Sequence, residues 1–147
     1  MSEFTGQCMC GALRFVATAP SLWCAHFHCR FCRQAHGAAF VTWVGFPQES
    51  VRIIDDQNAI HWYQSSKPGR RGSCAHCGTM MFFESTAVPG ETHVARACIS
   101  GAIDRDPQAH TFYDQKVDWL AVDDGLPKLT SDDPMLAWAK GIGTQIR

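Results

Sequence analysis

Long runs of one residue type are missing from this sequence. Its 13 Lys and Arg residues nearly balance its 14 Asp and Glu residues, and no basic stripe is present that would attract nucleic acid. The apolar runs are far too short to span a bilayer. The start of the chain lacks the charged segment and apolar stretch of a signal peptide. We therefore expect a cytoplasmic protein whose partners include neither nucleic acid nor a membrane.

Several catalytic signatures are missing as well. The sequence contains no glycine-rich phosphate loop, no Ser-His-Asp arrangement and no His-Glu-x-x-His motif. No internal repeat, low-complexity segment or linker divides the chain. Because 147 residues are enough to bury one hydrophobic core, we predict a single domain over residues 1–147.

Cysteine, in contrast, is abundant, with eight residues in the chain. Four of them form two close pairs, each followed by a glycine, and thiolates presented on two such turns suit tetrahedral Zn²⁺. With all four positions filled, a metal would have no open coordination site, so the pattern predicts a structural zinc. Disulfides are the alternative, but a Cys-x-Cys pair is too cramped to form an internal bridge without strain. The predicted ligands are Cys8, Cys10, Cys74 and Cys77, and His76 is expected to be an exposed turn residue.

The segment between these pairs contains the candidate catalytic residues. Cys29 and Cys32 form another closely spaced pair, and the arginines beside them favour the thiolate forms. His26 and His28 add nitrogen atoms that could ligate a metal. Two thiolates and one further ligand, for which His28 is a candidate, leave the open position that a catalytic zinc keeps. Without metal, Cys29 and Cys32 could instead act as a redox pair.

Short segments rich in β-branched or aromatic residues predict a mainly β domain. Turn-forming residues bound several of these segments. A helical turn is expected at residues 30–37, and a short C-terminal helix is expected to start at Asp132 or Asp133 and to end near Gly141 or Gly143. Cys24 and the strand residue Cys98 are interpreted as buried apolar side chains. The predicted strands are residues 12–17, 40–46, 51–54, 60–63, 80–83 and 93–99, with the aromatic segment 61–63 packed in the core.

Three motifs in order resemble those of the glutathione-dependent formaldehyde-activating enzyme family, which includes centromere protein V. The motifs are residues 6–15 (GQCMCGALRF), 28–33 (HCRFCR, followed by GAAF at 37–40) and 73–79 (SCAHCGT). The stretch from Pro107 to Trp119 is similar to the family's C-terminal region. The resemblance covers about residues 5–127, which we take as the core of the domain. It implies a β-tent fold of small antiparallel sheets with two zinc sites.

The resemblance agrees with the structural zinc inferred from the cysteine spacing. It also implies that the second motif holds a catalytic zinc through the pattern Cys-His-Cys-x-x-Cys. Cys29 and Cys32 match the second and third cysteines of that pattern, but Phe27 stands at the first. Phenylalanine cannot ligate a metal, so the second site lacks one of its three thiolates.

The function that the resemblance implies is a carbon–sulfur lyase. Its substrate is an adduct of glutathione, or of another small-molecule thiol, with an aldehyde, such as S-hydroxymethylglutathione. Arg14, Arg33 and Arg71 are candidate partners for the glutathione carboxylates, since arginine can bind a carboxylate through two hydrogen bonds. Two alternatives stay open: a zinc-stabilised binding module without turnover, and a thiol redox protein that uses Cys29 and Cys32.

Overall fold

Ten strands, one α-helix and four short 3-10 helices make up the computed structural model, which describes residues 2–139. The strands are β1 (Glu3–Gln7), β2 (Arg14–Thr18), β3 (Trp23–Phe27), β4 (Val41–Pro47), β5 (Val51–Ile54), β6 (Ile60–Tyr63), β7 (Gly69–Cys74), β8 (Met80–Ser85), β9 (Glu91–Ala95) and β10 (His110–Thr111). Helix α1 is Arg30–His36, and the 3-10 helices are Gln48–Ser50, Arg96–Cys98, Tyr113–Gln115 and Pro134–Ala139.

The strands form two sheets. The smaller sheet has the order β1-β2-β5 and is antiparallel throughout. The larger sheet has the order β10-β3-β4-β9-β8-β7-β6. All its neighbours are antiparallel except β10, which runs parallel to β3 and brings the distant residue His110 beside His26.

The two sheets share the main hydrophobic core. Alternate residues of a strand point to opposite faces of its sheet, so one face of the larger sheet can meet the smaller one. Phe15 and Ala17 of β2 lie in this core with Val44 of β4, Phe82 of β8 and Val94 of β9. The rings of Phe15 and Phe82 meet edge to face with their centroids 5.6 Å apart.

Helix α1 packs against β4 on the opposite face of the larger sheet. Val41 and Trp43, which alternate with Val44 along β4, pack there against Cys29 and Cys32. The helix is short because Gly37 ends it in the left-handed conformation, with φ 60°, and donates its N–H to the carbonyl of Arg33. This arrangement places the cysteines of the second motif at the N-terminal end of helix α1, against the larger sheet.

The observed elements confirm the mainly β prediction, but some of the predicted strands differ from those in the structure. The segments 51–54 and 60–63 are strands with the predicted bounds, and α1 begins at Arg30 as expected. The predicted strand 93–99 is wrong beyond Ala95, because residues 96–98 form a 3-10 helix that contains Cys98. The C-terminal segment forms a 3-10 helix from Pro134, and its expected end at Gly141 or Gly143 lies outside the described residues. Strands β1, β3, β7 and β10 were not predicted.

Candidate metal and thiol centres

Four cysteines from two distant turns meet at one end of the main core. The Sγ atoms of Cys8, Cys10, Cys74 and Cys77, here called the four-cysteine cluster, all lie within 4.8 Å of one another. Two separations are 3.6 Å (Cys8 to Cys10) and 3.7 Å (Cys10 to Cys74). Tetrahedral coordination with Zn–S bonds of about 2.3 Å requires sulfurs roughly 3.8 Å apart. The donor set and its spacing therefore fit a zinc ion.

Glycine shapes both turns of the four-cysteine cluster. Gly11 and Gly78 have φ values of 80° and 81°, a region that larger side chains resist. The amide of Gly11 donates to the carbonyl of Cys8, and that of Gly78 donates to the carbonyl of Cys74. The two turns are also joined directly, since the Met9 amide donates to the hydroxyl of Thr79 at 3.1 Å. Local sequence thus builds each half of the cluster, and the fold aligns them.

The pKa values of the thiols in the four-cysteine cluster favour the binding of a cation between them. Burial opposes ionisation of Cys8, but hydrogen bonds from the Leu13 amide and from neighbouring thiols lower its pKa. The hydroxyl and amide of Thr79 lower the pKa of Cys77 to about 5. The Ala12 amide acts to lower the pKa of Cys10, but desolvation and the neighbouring sulfurs together outweigh it and raise that pKa to about 12. The sulfurs resist becoming thiolates together unless a positive charge is added.

The second thiol pair lies at the N-terminal end of helix α1, beside a buried arginine. Cys29 caps the helix and Cys32 lies in its first turn, and both are buried. The two terminal nitrogens of Arg71 lie 4.0 and 3.9 Å from the Cys32 Sγ. The guanidinium is held over the Phe83 ring, 4.9 Å from its centroid, and its Nε donates to the Ser65 hydroxyl at 3.1 Å. Arg71 is only 2% exposed, so solvent does little to screen its charge.

This environment lowers the pKa of Cys32 and raises that of Cys29. The hydrogen bond from Cys29, followed by the charge of Arg71 and a contact with Trp43, lowers the pKa of Cys32 to about 6 in spite of burial. The same hydrogen bond, together with burial, raises the pKa of Cys29 well above its ordinary value. The pair therefore shares one proton, with the thiolate at Cys32 facing the guanidinium.

Arg71 also lines an open cleft. The cleft has a volume of about 510 Å³, and its lining combines apolar, hydroxyl and imidazole groups. The prediction that residues 61–63 pack in the core is wrong for His61 and Tyr63, which are exposed and border the cleft. Trp62 packs against the main core as predicted. The lining residues are Phe31, Gln34, Ala35, His61, Tyr63, Ser65, Arg71, Ser73 and Met80.

Within residues 2–139, Cys29 and Cys32 have no third metal ligand close by. Among the described residues, no histidine, cysteine or carboxylate forms a group of mutually close ligand atoms with this pair. Phe27 lies in the same apolar cluster as the two cysteines and packs against Trp23 and Phe112. The Nε2 atom of His28 is bonded instead to His110, 2.8 Å away. With two thiols and no third ligand atom nearby, the described residues do not fit a second zinc in this arrangement.

The remaining predicted residues have other partners. Arg14 forms an exposed ion pair with Asp56, and Arg33 donates to the carbonyl of His28. His76 is exposed, as expected. Cys24 is fully buried in the main core, and Cys98 is half-buried beside it. All eight cysteines are free of disulfide bonds.

Comparison with known proteins assigns this cysteine-rich β domain to a family. The family model described as glutathione-dependent formaldehyde-activating enzyme matches residues 3–115. The chain therefore belongs to the glutathione-dependent formaldehyde-activating enzyme family. None of the helices within residues 2–139 is long and apolar enough to cross a membrane.

Two curated relatives and one solved structure are consistent with this assignment. A Halomonas elongata protein, provisionally named glutathione-dependent formaldehyde-activating enzyme, is 22% identical over 125 residues, which is 80% of each chain. A Schizosaccharomyces pombe protein named as an uncharacterized lyase is 31% identical over 88 residues, or 58% of this chain and 61% of the relative. A crystal structure of a Rhodobacter sphaeroides protein shares the fold, with a TM-score of 0.59 and 19% identity over 86% of this chain and 99% of that one.

Proposed function

We propose that this protein is a carbon–sulfur lyase that makes or breaks the C–S bond between a small thiol, such as glutathione, and an aldehyde. The adduct would be of the S-hydroxymethylglutathione type. Family membership and the lyase-named relative support the class of reaction. The single observation that carries the proposal is the buried side chain of Arg71, which lines a cleft of substrate size and whose guanidinium lies 3.9 Å from the sulfur of Cys32.

The chemistry follows from the charges on each side of the C–S bond. Breaking the adduct removes the hydroxyl proton, forms the aldehyde C=O bond and leaves the bond electrons on the thiol sulfur. Arg71 can stabilise that departing thiolate in the cleft, because buried positive charge acts strongly on developing negative charge. His61, at the cleft edge, is the lining group suited to accept the hydroxyl proton. In the reverse direction the same groups favour thiolate attack on the aldehyde, and binding supplies proximity.

We further propose that the four-cysteine cluster binds a structural zinc and that Cys29 and Cys32 adjust the charge at the site. The zinc would tie the turn at residues 8–11 to the turn at residues 74–78 and contribute to folding stability. No metal-dependent step is assigned to Cys29 and Cys32. Because Cys29 and Cys32 share one proton, a thiolate at Cys32 lies next to Arg71. A bound substrate thiolate would compete with this Cys32 thiolate for the guanidinium.

Exchange spectroscopy tests the lyase proposal directly. Thiol and formaldehyde equilibrate with their adduct without an enzyme, so the measured quantity is the exchange rate by NMR magnetisation transfer with and without protein. We expect the wild type to accelerate exchange. Arg71→Gln should lose roughly 100–1000-fold of the acceleration, as expected for loss of a group that stabilises developing charge.

The matched control is Arg70→Gln. Arg70 is the preceding residue along β7, but its side chain is exposed, stacks on Trp62 and pairs with Glu84. This variant should retain the wild-type rate. Equal exchange with and without wild-type protein, for glutathione and for smaller thiols, would exclude the lyase proposal.

Thiol–disulfide exchange is a second candidate, favoured by the contact between Arg71 and Cys32. The Cys32 thiolate would attack a small disulfide and release one thiolate, and Cys29 would then attack Cys32 and release the second. The products are two thiols and a Cys29–Cys32 disulfide. Mass spectrometry after incubation with glutathione disulfide detects this bridge. A dithiol that stays reduced under these conditions would exclude the candidate.

A further inference from the structure

Two histidines and one aspartate form a cluster on the far edge of the larger sheet. His26 lies on β3 and His110 on the parallel strand β10, where the two residues are paired in register. Their rings stack with centroids 4.7 Å apart. Asp124 approaches from the following loop, and its Oδ2 atom lies 2.8 Å from Nε2 of His110. One ligand atom of each residue lies within 4.8 Å of the others.

Each imidazole of this cluster is oriented by a bond through its other nitrogen. Nδ1 of His26 lies 2.8 Å from the hydroxyl of Thr42, the residue opposite it on β4. Nδ1 of His110 lies 2.8 Å from Nε2 of His28, and His28 is fully buried. Histidines that bind metals are typically held in this way, because the bond at one nitrogen fixes the ring and directs the lone pair of the other. The Nε2 atoms are thus the ones left for a ligand.

The cluster is closed on one side and open on the other. His110 is only 2% exposed, His26 is half-buried, and the ring of Phe40 packs edge-on against His26 with centroids 5.1 Å apart. The side chain of Asp124 is 42% exposed, which leaves an approach from solvent. Three protein ligands with an open side differ from the closed four-cysteine cluster and leave room for water or a small ligand on a metal.

We propose that His26, His110 and Asp124 form a binding site for a divalent transition metal such as Zn²⁺ or Co²⁺. Two neutral imidazoles and one carboxylate are ligands of borderline hardness, suited to these ions, and they balance one of the two positive charges. The metal would replace the proton that His110 and Asp124 otherwise share. The site contains no sulfur ligand, and its residues are separate from the cysteine pair at the start of helix α1.

The test is a Co²⁺ titration of protein whose four-cysteine cluster has been loaded with zinc and washed with a weak chelator. We expect the wild type to bind one further equivalent, without the thiolate-to-cobalt charge-transfer absorption that a cysteine ligand produces. Asp124→Asn should weaken this binding by more than about 100-fold, and Thr42→Val, which removes only an orienting bond, by about 10–100-fold. Asp123→Asn, an exposed neighbour, is the matched control and should bind as the wild type does.

His26→Asn provides a second ligand variant, and thermal unfolding confirms that each variant is folded. The proposal is overturned if the wild type takes up no further equivalent, if both ligand variants bind as tightly as the wild type, or if the additional Co²⁺ shows thiolate charge transfer. In the first case the contact between His110 and Asp124 is an ordinary hydrogen bond that joins the loop to β10.

Discussion

Replacing Arg71 with methionine should change the acidity of Cys32 more than replacing any other charged residue of this protein. The guanidinium nitrogens lie 3.9 and 4.0 Å from the sulfur, and Arg71 is 2% exposed. Two unit charges at this distance interact by about 4 kcal/mol at an effective dielectric constant of about 20. That energy corresponds to a change of about a thousandfold in the proton affinity of the thiolate. Methionine preserves most of the side-chain volume and removes the charge.

Thiolate absorbance in the far ultraviolet, followed against pH in zinc-loaded protein, measures the effect. The wild type should show one thiol that titrates with a pKa of about 6. In Arg71→Met this transition should move to higher pH, although the hydrogen bond from Cys29 still favours the Cys32 thiolate. Arg70→Met is the control, since the exposed Arg70 side chain pairs with Glu84 on the strand beside it. An unchanged titration in Arg71→Met, or an equal change in both variants, would refute the electrostatic reasoning.

Arg71→Met should also change how the free energy of unfolding depends on pH. The pKa of Cys32 is lowered from 9.0 to about 6 on folding, so its stabilising contribution is present above the unfolded value and disappears as the pH falls through the folded one. The difference in unfolding free energy between wild type and Arg71→Met should therefore be large near pH 9 and small below about pH 6. Effects of acid on the four-cysteine cluster are common to both proteins and cancel in this difference.

Three further predictions concern other parts of the molecule. Phe27→Cys should cost about 2–4 kcal/mol of stability in metal-free protein, because it opens a cavity among buried rings, and should raise the zinc content measured by elemental analysis from about one toward two per chain. An unchanged zinc content would show that a third thiolate is not the missing component. In a thermal-shift assay, a chelator should lower the unfolding temperature of Cys10→Ser at concentrations that do not affect Cys98→Ser. An equal effect on both variants would argue against a zinc at the four-cysteine cluster. Gly45→Ala should destabilise by about 1–3 kcal/mol in urea unfolding, since its Cβ would lie 2.4 Å from the Trp23 indole; wild-type stability would mean that the indole moves away freely.

Short-range patterns in the sequence were enough to predict the four-cysteine cluster. The Cys-x-Cys and Cys-x-x-Cys spacings, each with a glycine, define tight turns whatever the rest of the chain does. The mainly β character and helix α1 were likewise visible, because alternation and turn residues act locally. The missed strands β1, β3 and β7 contain glycine, histidine or arginine, and pairing with neighbours in the sheet overrides their weak local preference.

The environment of Cys32 was decided by the tertiary structure. Arg71 is 39 positions away in sequence, whereas the adjacent residue Arg33 bonds to a backbone carbonyl instead of the thiol. Which arginine faces the thiolate depends on how the sheet brings Arg71 of β7 next to Cys32, and no local pattern encodes that.

The pairing of His26 with His110 follows the same rule. It depends on the parallel strand β10, which joins segments 84 residues apart, and two-residue strands leave almost no periodic signal in a sequence. Side-chain types and close spacing thus determined which residues could bind metal or ionise. Long-range strand order decided which of them meet, because only the folded sheets fix distances between segments that the chain connects loosely.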